Sequence, residues 1–460
     1  MAPLHHVAHT QPRDHAPLAR RPTERSRSMI VAAFFGLFIG LSVVFAVRKL
    51  HPTWWQLRAV RVALAVLIAC PPIGILSRAL GTGRLVTGFS SATLGILGAT
   101  LGGGAILTLA LFFTVPIAGL VRFVAARALR VSRGAPTTQA SALEAPAAEA
   151  PAPEAPAPEA STTEAPAPEA PAHKTPAPLP LTRRRVILEV AAASLPLTAL
   201  GMGAAGIAGA FARTHLAERR MRFAGLPAGL EGLRILQITD LHLGAFRDLD
   251  SLPELVETCA DARADLVVVT GDFCDHLPWL AEGLNHVKRI QAPLGTFAVF
   301  GNHEHYRGAL KNRAGYDRAG IPLLLDKHAV LERGGARLLL AGVDDPSGWD
   351  HTSEHYERHA DAALDGAPSD LFSVALSHRP SGFDALAARG MHLTLSGHTH
   401  GAQMGFAGRS ALEPVLPNMH LWGAYTRGAS QLYTSSGAGH WAAFRLACPS
   451  ELPLVILERA

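Results

Sequence analysis

Five short apolar segments in the C-terminal half of the chain each run directly into a cluster of aspartate, asparagine or histidine residues. Helical patterns over 252–263, 279–290 and 383–388 lie between some of these segments. Alternation of this kind predicts the buried strands and helices of a layered α/β domain. The predicted strands are 233–239, 266–270, 296–300, 372–376 and 392–395.

The polar clusters are expected to meet, because ligands of α/β sheets bind beyond the carboxyl ends of the strands. A single Asp-x-His or Gly-Asp pair is weak evidence, since such pairs arise often by chance. Five clusters in succession, each directly after an apolar strand, make coincidence improbable. The clusters are Asp240 with His242; Gly271-Asp272 with Asp275; Gly301-Asn302-His303-Glu304; Ser377-His378; and Gly397-His398 with His400.

The residue types in these clusters indicate a metal centre. Carboxylate, amide and imidazole ligands without a thiolate suit Mn, Fe or Zn. They are too many for one ion, but a carboxylate that bridges two ions about 3.5–4 Å apart would use them all, as in many phosphatases and nucleases. Two such cations neutralise phosphoryl oxygens and lower the pKa of a bound water, which gives a hydroxide nucleophile at neutral pH. A histidine that is not a ligand would protonate the leaving group.

In order and spacing, the clusters resemble the signature motifs of the calcineurin-like metallophosphoesterases, from about residue 233 to the C-terminus. The stretches 397–403, 425–428 and 432–437 resemble the membrane-associated bacterial branch with a twin-arginine-like leader, although Ala402 replaces a common glycine. The resemblance implies a four-layer αββα sandwich with two mixed sheets. It also implies a metal-dependent phosphoric ester hydrolase.

Site roles follow from the same resemblance. It implies a first divalent cation held by Asp240, His242, Asp272 and His400. It implies a second held by Asp272, Asn302, His378 and His398, with Asp272 as the bridge. His303 would contact the phosphate and donate the proton. The roles of nearby His305, Asp344, Asp345, Arg379 and Cys274 are left open.

The N-terminal half predicts a membrane region. The chain is 48% hydrophobic, and its basic excess lies between long uncharged runs, which is typical of membrane flanks rather than nucleic-acid binding. We predict a disordered basic N-terminus over 1–28 and a helical transmembrane bundle over 29–133, with spans at 29–47 and 62–77 and two more within 85–121. A Pro/Ala/Glu-rich linker follows over 134–180. No nucleic-acid partner is expected.

A last apolar segment, 181–212, follows the linker and begins with three arginines at 183–185. It resembles a twin-arginine signal, and an ordinary transmembrane helix is the alternative. Both place the domain from Met221 to the C-terminus outside the cytoplasm. One observation opposes a simple topology. If the N-terminus is cytoplasmic, Arg48 and Lys49 lie outside the cytoplasm, which the positive-inside rule disfavours. We expect a multi-pass membrane protein with an extracytoplasmic catalytic domain.

The function predicted from sequence is a membrane-anchored phosphoesterase, and the membrane region favours an envelope or lipid-linked phosphoester substrate. A tethered phosphodiesterase for cyclic nucleotides or other soluble substrates is an alternative. A non-catalytic metal-binding membrane scaffold is another. The complete ligand set together with His303 counts against the scaffold.

Overall fold

The computed structural model of the chain describes residues 37–81, 111–124, 183–244, 246–346, 353–440, 442 and 444–460. The predicted disordered N-terminus, the predicted linker and most of the apolar run 85–121 lie outside these residues. The chain divides into two compact units: Pro116–Leu195, and residues 1–115 together with Pro196–Ala460. In the smaller unit, Arg122 forms an ion pair with Glu189 at 2.6 Å.

Helices dominate the described part of the N-terminal half. They span 37–50, Pro52–Trp55, Arg58–Gly81 and 111–124, followed by α1 (Arg183–Ala210). Within the described ranges, the stretch Val186–Ala210 of α1 is the one helix long and apolar enough to cross a membrane. The described part of the apolar helix Leu111–Val124 is shorter than the roughly twenty residues that a span requires. The predicted bundle over 29–133 is therefore not supported by the described residues.

The C-terminal domain contains two mixed sheets, as the family resemblance implied. Its strands are β1 (His215–Phe223), β2 (Arg234–Ile238), β3 (Leu266–Thr270), β4 (Thr296–Val299), β5 (Lys327–Arg333), β6 (Ala336–Gly342), β7 (Phe372–Leu376), β8 (Leu393–Ser396), β9 (Gly405–Phe406), β10 (Arg409–Ser410), β11 (Gly423–Arg427), β12 (Ser430–Thr434) and β13 (Glu451–Arg459). The first sheet has the order β1-β13-β2-β3-β4 and the second β11-β12-β8-β7-β6-β5, while β9 and β10 pair separately. The helices are α2 (Leu252–Ala260), α3 (Leu280–Val287), α4 (Asn302–Ala319), α5 (Ser353–Leu364) and α6 (Phe383–Ala388).

Alternating side chains of the strands build two sides of each sheet. In β3, Val268 joins the core cluster shared with Val374 of β7, so the two sheets pack face to face. Val267 and Val269 point the other way and pack with α2 and α3. In β7, Ala375 packs with α5 and α6 on the outer face of the second sheet. Successive side chains of a strand alternate between the two faces of its sheet. Each of these buried apolar strands therefore contributes to the hydrophobic core on both faces.

Strand β1 begins upstream of Met221, the first residue of the domain predicted from the sequence. Strand β1 starts at His215 and pairs in parallel with β13 over nine residues, from His215 opposite Glu451 to Phe223 opposite Arg459. Met221 lies inside this strand, and its side chain is 4% exposed. A chain that started at Met221 would lack most of β1.

The five strands predicted from the sequence are present, and each differs from its prediction by at most one residue at either end. Strands β2, β3 and β4 are neighbours and parallel, and so are β7 and β8. Their carboxyl ends therefore lie at common sheet edges. The loops that leave these edges carry the predicted site residues.

Candidate metal centre

The structure brings all the predicted ligands into one cluster. Three sets of side chains offer ligand atoms within 4.8 Å of one another. The first is Asp240, His242 and His400; the second is Asp272, His378 and His398; the third is His242, Asp272 and His303. Asn302 joins the second set, because its Oδ1 lies 3.2 Å from Nε2 of His378.

The first subsite lies between the loops after β2 and β8. Nε2 of His400 lies 3.3 Å from Oδ1 of Asp240 and 3.1 Å from Nε2 of His242. Nε2 of His242 in turn lies 3.7 Å from Oδ2 of Asp272. Ligand atoms about 2.1 Å from one cation lie roughly 3.0–3.4 Å from each other, so these separations suit a shared ion.

The second subsite centres on Nε2 of His378. It lies 3.4 Å from Oδ2 of Asp272 and 3.2 Å from Nδ1 of His398. The same Asp272 oxygen thus faces both subsites. That position matches the bridging role implied for Asp272.

The outer ring nitrogens of two histidines fix which atom faces the centre. Nδ1 of His242 lies 3.2 Å from Oδ2 of Asp275, and Nδ1 of His378 lies 2.8 Å from the carbonyl oxygen of Thr270. Both partners accept hydrogen bonds, so each Nδ1 carries a proton and each neutral ring turns its Nε2 lone pair inward. With both histidine rings neutral, their lone pairs would face the lone pairs of the other ligands and repel them. This arrangement therefore requires positive charge between the ligands.

Without a cation, protons take that place. Burial lowers the pKa of His242, but its hydrogen bond to Asp275 and the charge of Asp272 outweigh burial and raise this pKa to about 9. Burial also lowers the pKa of His378, but the charge of Asp272 outweighs it and raises this pKa to about 10. Burial on its own would raise the pKa of Asp272, yet His378 holds that pKa well below its usual range. The residues thus fit divalent cations, which would replace these protons.

The ligand loops adopt backbone conformations that are rare outside glycine. The φ angles of Asp240, His242, Asp272, His398 and His400 are 53°, 49°, 51°, 69° and 50°. Aspartate and histidine tolerate this left-handed region better than bulkier residues, but it still costs free energy. Five such residues within one cluster indicate that the fold holds the ligand loops in strained positions.

Two motif glycines allow the ligand loops to approach closely. A Cβ at Gly301 would lie 2.3 Å from Oδ1 of Asp272, and one at Gly397 would lie 2.1 Å from Oδ2 of Asp240. A side chain at either position would therefore displace a carboxylate. This close approach explains why glycine precedes both Asn302 and His398.

Glu304 organises the loop that carries Asp272. Its buried carboxylate accepts hydrogen bonds from the backbone N–H groups of Asp272, Phe273 and Gly301 at 2.8, 2.8 and 2.7 Å. It thereby ties the start of α4 to the loop after β3. The sequence motif contained Glu304 but gave it no role.

His303 lies at the mouth of the cluster, with 24% of its side chain exposed. Its Nε2 lies 3.9 Å from Oδ2 of Asp272, while its Nδ1 lies 2.5 Å from Oδ1 of Asp275. Asp275 also forms an ion pair with Arg307 at 3.1 Å. The sequence named Asp275 only as part of a motif, and its contact with both His242 and His303 was not predicted.

The structure also shows the contacts of the residues whose roles the sequence leaves open. Arg379 is buried and pairs with buried Asp345 at 2.7 Å, and His305 pairs with Asp344 at 2.9 Å. Burial raises the pKa of Cys274 to about 12, so this thiol is not a nucleophile at neutral pH.

Comparison with known proteins gives a consistent result. Residues 233–402 match the family described as Calcineurin-like phosphoesterase. The chain is 26% identical to the metallophosphoesterase YkuE of Bacillus subtilis over 233 residues, which cover 48% of this chain and 77% of YkuE. It is 31% identical to a metallophosphoesterase of Aquifex aeolicus over 196 residues, which cover 41% of this chain and 71% of that protein.

A third relative is a vertebrate protein. The chain is 28% identical over 244 residues to the "Transmembrane protein with metallophosphoesterase domain" of Danio rerio. The aligned region covers 51% of this chain and 55% of that protein, so the chain spans about half the length of this relative.

Proposed function

Because the chain belongs to the calcineurin-like phosphoesterase family and is a metal-dependent phosphoric ester hydrolase, we propose that it is a membrane-anchored enzyme that acts on envelope or lipid-linked phosphoesters. The family depends on a binuclear metal centre, and the His/Asp clusters supply candidate ligands for it. Mn, Zn and Fe all suit this donor set.

The proposed ligands follow the two subsites. The first cation would be held by Asp240, His242, Asp272 and His400. The second would be held by Asp272, Asn302, His378 and His398. The single observation that carries this assignment is the orientation of His242 and His378, whose outer nitrogens are engaged so that both Nε2 atoms turn inward.

When bound, two divalent cations neutralise phosphoryl charge and lower the pKa of a coordinated water. The chain's own residues position the ester and move the proton. His303 holds Nδ1 against Asp275 and places Nε2 3.9 Å from Oδ2 of Asp272, while part of its side chain is exposed. A protonated His303 in this position can donate to the oxygen of the leaving group, and the Asp275 carboxylate orients the ring.

Helix α1 is the proposed anchor. Its apolar stretch Val186–Ala210 has 25 residues, or about 37 Å at 1.5 Å per residue. That length exceeds the roughly 30 Å hydrocarbon core of a bilayer. The arginines at 183–185 precede the stretch, which favours a cytoplasmic start for α1 and an extracytoplasmic catalytic domain. Reporter fusions at the C-terminus test this orientation, and a reporter active in the cytoplasm would contradict it.

Metal analysis combined with a substrate panel tests the enzyme assignment. The detergent-solubilised full chain is stripped of metal, reloaded with Mn, Zn or Fe, and assayed on phosphate mono- and diesters. We expect two ions per chain and hydrolysis that requires them. His378→Ala should lose metal and activity. His392→Ala is the matched control, because His392 precedes β8 at the end of that strand opposite His398. A chain that binds two ions and hydrolyses no ester would instead support the scaffold alternative.

A further inference from the structure

We infer that residues 404–419, called the rim here, contact the lipid bilayer beside the metal centre and present the site to phosphoesters that stay embedded in the membrane. This inference rests on the proposed phosphoesterase function and on the proposed anchor. It adds a second membrane contact, made by the catalytic domain itself.

The rim exposes large apolar side chains. Phe406 is 77% exposed, Val415 71%, Met419 50% and Leu416 39%. Single exposed apolar residues are ordinary, but several within one short surface segment mark an interaction surface. The rim therefore has the composition of a surface that is covered by other apolar groups.

The rim is connected to the end of helix α1 through residues 444–447. The backbone N–H of Arg445 donates to the carbonyl of Gly206 at 2.6 Å. A Cβ at Gly206 would lie 2.1 Å from the Phe444 ring, and one at Gly209 would lie 2.2 Å from the Arg445 carbonyl oxygen. Two glycines thus let the end of the proposed anchor pack directly on this segment.

The same segment binds the rim on its other side. The N–H of Gly405 donates to the carbonyl of Leu446 at 2.8 Å, and the N–H of Leu446 donates to the carbonyl of Gln403 at 2.9 Å. The contacts run without a break from Gly206 through Arg445 and Leu446 to Gly405. The rim is therefore continuous with the surface on which the anchor ends.

The middle of the rim and a residue just beyond its end are also bonded to the loop that carries two proposed ligands. The hydroxyl of Ser410 donates to the carbonyl of Gly401 at 2.9 Å, and the hydroxyl of Thr399 donates to the carbonyl of Leu421 at 2.5 Å. His400 lies between Thr399 and Gly401. A rim that touches the membrane would hold this side of the metal centre at the membrane surface.

The short connection to the anchor favours the bilayer over a protein partner as the occupant. Residues 211–214 alone join the end of α1 at Ala210 to the start of β1 at His215. Four extended residues reach at most about 14 Å. The domain surface next to the end of the helix must therefore stay close to the headgroups, and Phe211, which is 56% exposed, lies at the same junction.

Quenching by brominated lipids tests the contact. Phe406→Cys and Val415→Cys are labelled with an environment-sensitive fluorophore in the full chain, reconstituted into phosphatidylcholine/phosphatidylglycerol vesicles. Cys70→Ser removes one background thiol, and Cys259, Cys274 and Cys448 are buried. Leu310→Cys is the control, because Leu310 is 83% exposed and lies in α4, outside the rim. We expect several-fold stronger quenching at 406 and 415 than at 310. No quenching at the rim, or equal quenching at all three positions, would overturn the inference.

Two esters with the same leaving group connect the contact to catalysis. Hexadecyl para-nitrophenyl phosphate enters the vesicle, whereas methyl para-nitrophenyl phosphate stays in water. A Phe406→Ser, Val415→Ser double variant should lose about tenfold in rate on the hexadecyl ester and keep its rate on the methyl ester, since about 1.4 kcal/mol of apolar burial corresponds to tenfold. Equal losses on both esters would overturn the inference. If the unsubstituted chain hydrolyses neither ester, the proposed function fails, while the quenching result still decides the bilayer contact.

Discussion

Nδ1 of His303 lies 2.5 Å from Oδ1 of Asp275. The other oxygen of this carboxylate lies 3.2 Å from Nδ1 of His242, a proposed ligand of the first cation. One aspartate that is not itself a proposed ligand therefore orients both the proposed proton donor and a proposed ligand. Asp275 is a positioning residue in this arrangement, and its loss should affect metal binding and proton transfer together.

Asp275→Asn should weaken metal binding by about 10–100-fold, the usual cost of removing a hydrogen-bond partner from a ligating histidine. The amide keeps the shape of the carboxylate but offers one acceptor oxygen in place of two, so it cannot orient both His242 and His303. With metal in excess, the rate on esters with poor leaving groups should still fall, because His303 is no longer held in position. Metal titration and rates measured with excess metal check both effects. Asp344→Asn, which removes the charge beside His305, is the control. Unchanged metal affinity and an unchanged rate with excess metal would contradict the role of Asp275.

Glu304→Ala should lower the stability of the folded protein and not only its catalytic activity. Three buried backbone N–H groups would lose their acceptor. Each unsatisfied buried donor costs about 1–3 kcal/mol, so we expect the free energy of unfolding to fall by at least about 3 kcal/mol. Denaturant unfolding measures this change. Glu282→Ala, on the exposed face of α3, should change stability by less than about 0.5 kcal/mol. Similar small effects for both variants would show that the Glu304 hydrogen bonds contribute little.

The sequence could predict that the candidate ligands lie close together, because its information there is local. Each proposed ligand follows an apolar strand by two to four residues, and parallel strands place such residues at one sheet edge. The prediction that Asp240, Asp272 and His378 would meet therefore needed only strand positions. The structure brings these three side chains into adjoining candidate metal-binding sets.

The features that the sequence could not supply depend on contacts between residues far apart in the chain. The pairing of β1 with β13 joins His215 to Glu451, and no local pattern connects positions so far apart. The left-handed φ angles of the ligands oppose local preference and are imposed by the packed loops. The packing of Gly206 against Phe444 likewise depends on tertiary contacts between distant segments. These features required the three-dimensional structure.

Metal-free protein should lose stability as the pH rises above neutrality. The pKa values of His242 and His378 are raised to about 9 and about 10, above the roughly 6.5 of an unfolded histidine. A raised folded-state pKa stabilises the fold fully below the unfolded value, and that contribution disappears as the pH passes the folded value. The melting temperature of EDTA-treated protein should therefore fall between about pH 7 and pH 10.

Metal-loaded protein should behave differently over the same range. Cations replace the two protons, so the deprotonated rings become the stable form. The fall in melting temperature with rising pH should therefore disappear. His378→Ala without metal should show a smaller fall than the unsubstituted metal-free chain, because one of the two raised groups is gone. Thermal unfolding with and without Zn measures each case. A metal-free protein that gains stability from pH 7 to pH 10 would contradict the assignment.

His303→Ala should separate the proposed proton donor from the proposed ligands. His303 is partly exposed at the mouth, and its Nε2 is 3.9 Å from the proposed bridging oxygen, so its removal should leave both metals bound. Hydrolysis of esters with poor leaving groups should slow by about 10²–10⁴-fold, the usual contribution of general acid catalysis. Activated aryl phosphates should lose less, because their leaving groups scarcely need a proton.

Asp272→Ala is the matched comparison, since removal of the proposed bridge should disturb both cations and abolish activity on all esters alike. Elemental analysis and rates on two leaving-group classes distinguish the outcomes. If His303→Ala loses metal as Asp272→Ala does, His303 is a ligand, in keeping with its place in one of the three candidate metal-binding sets. If its defect is equal for good and poor leaving groups, His303 orients the phosphate and does not donate the proton. Only retained metal together with a defect that grows as the leaving group becomes poorer identifies His303 as the acid.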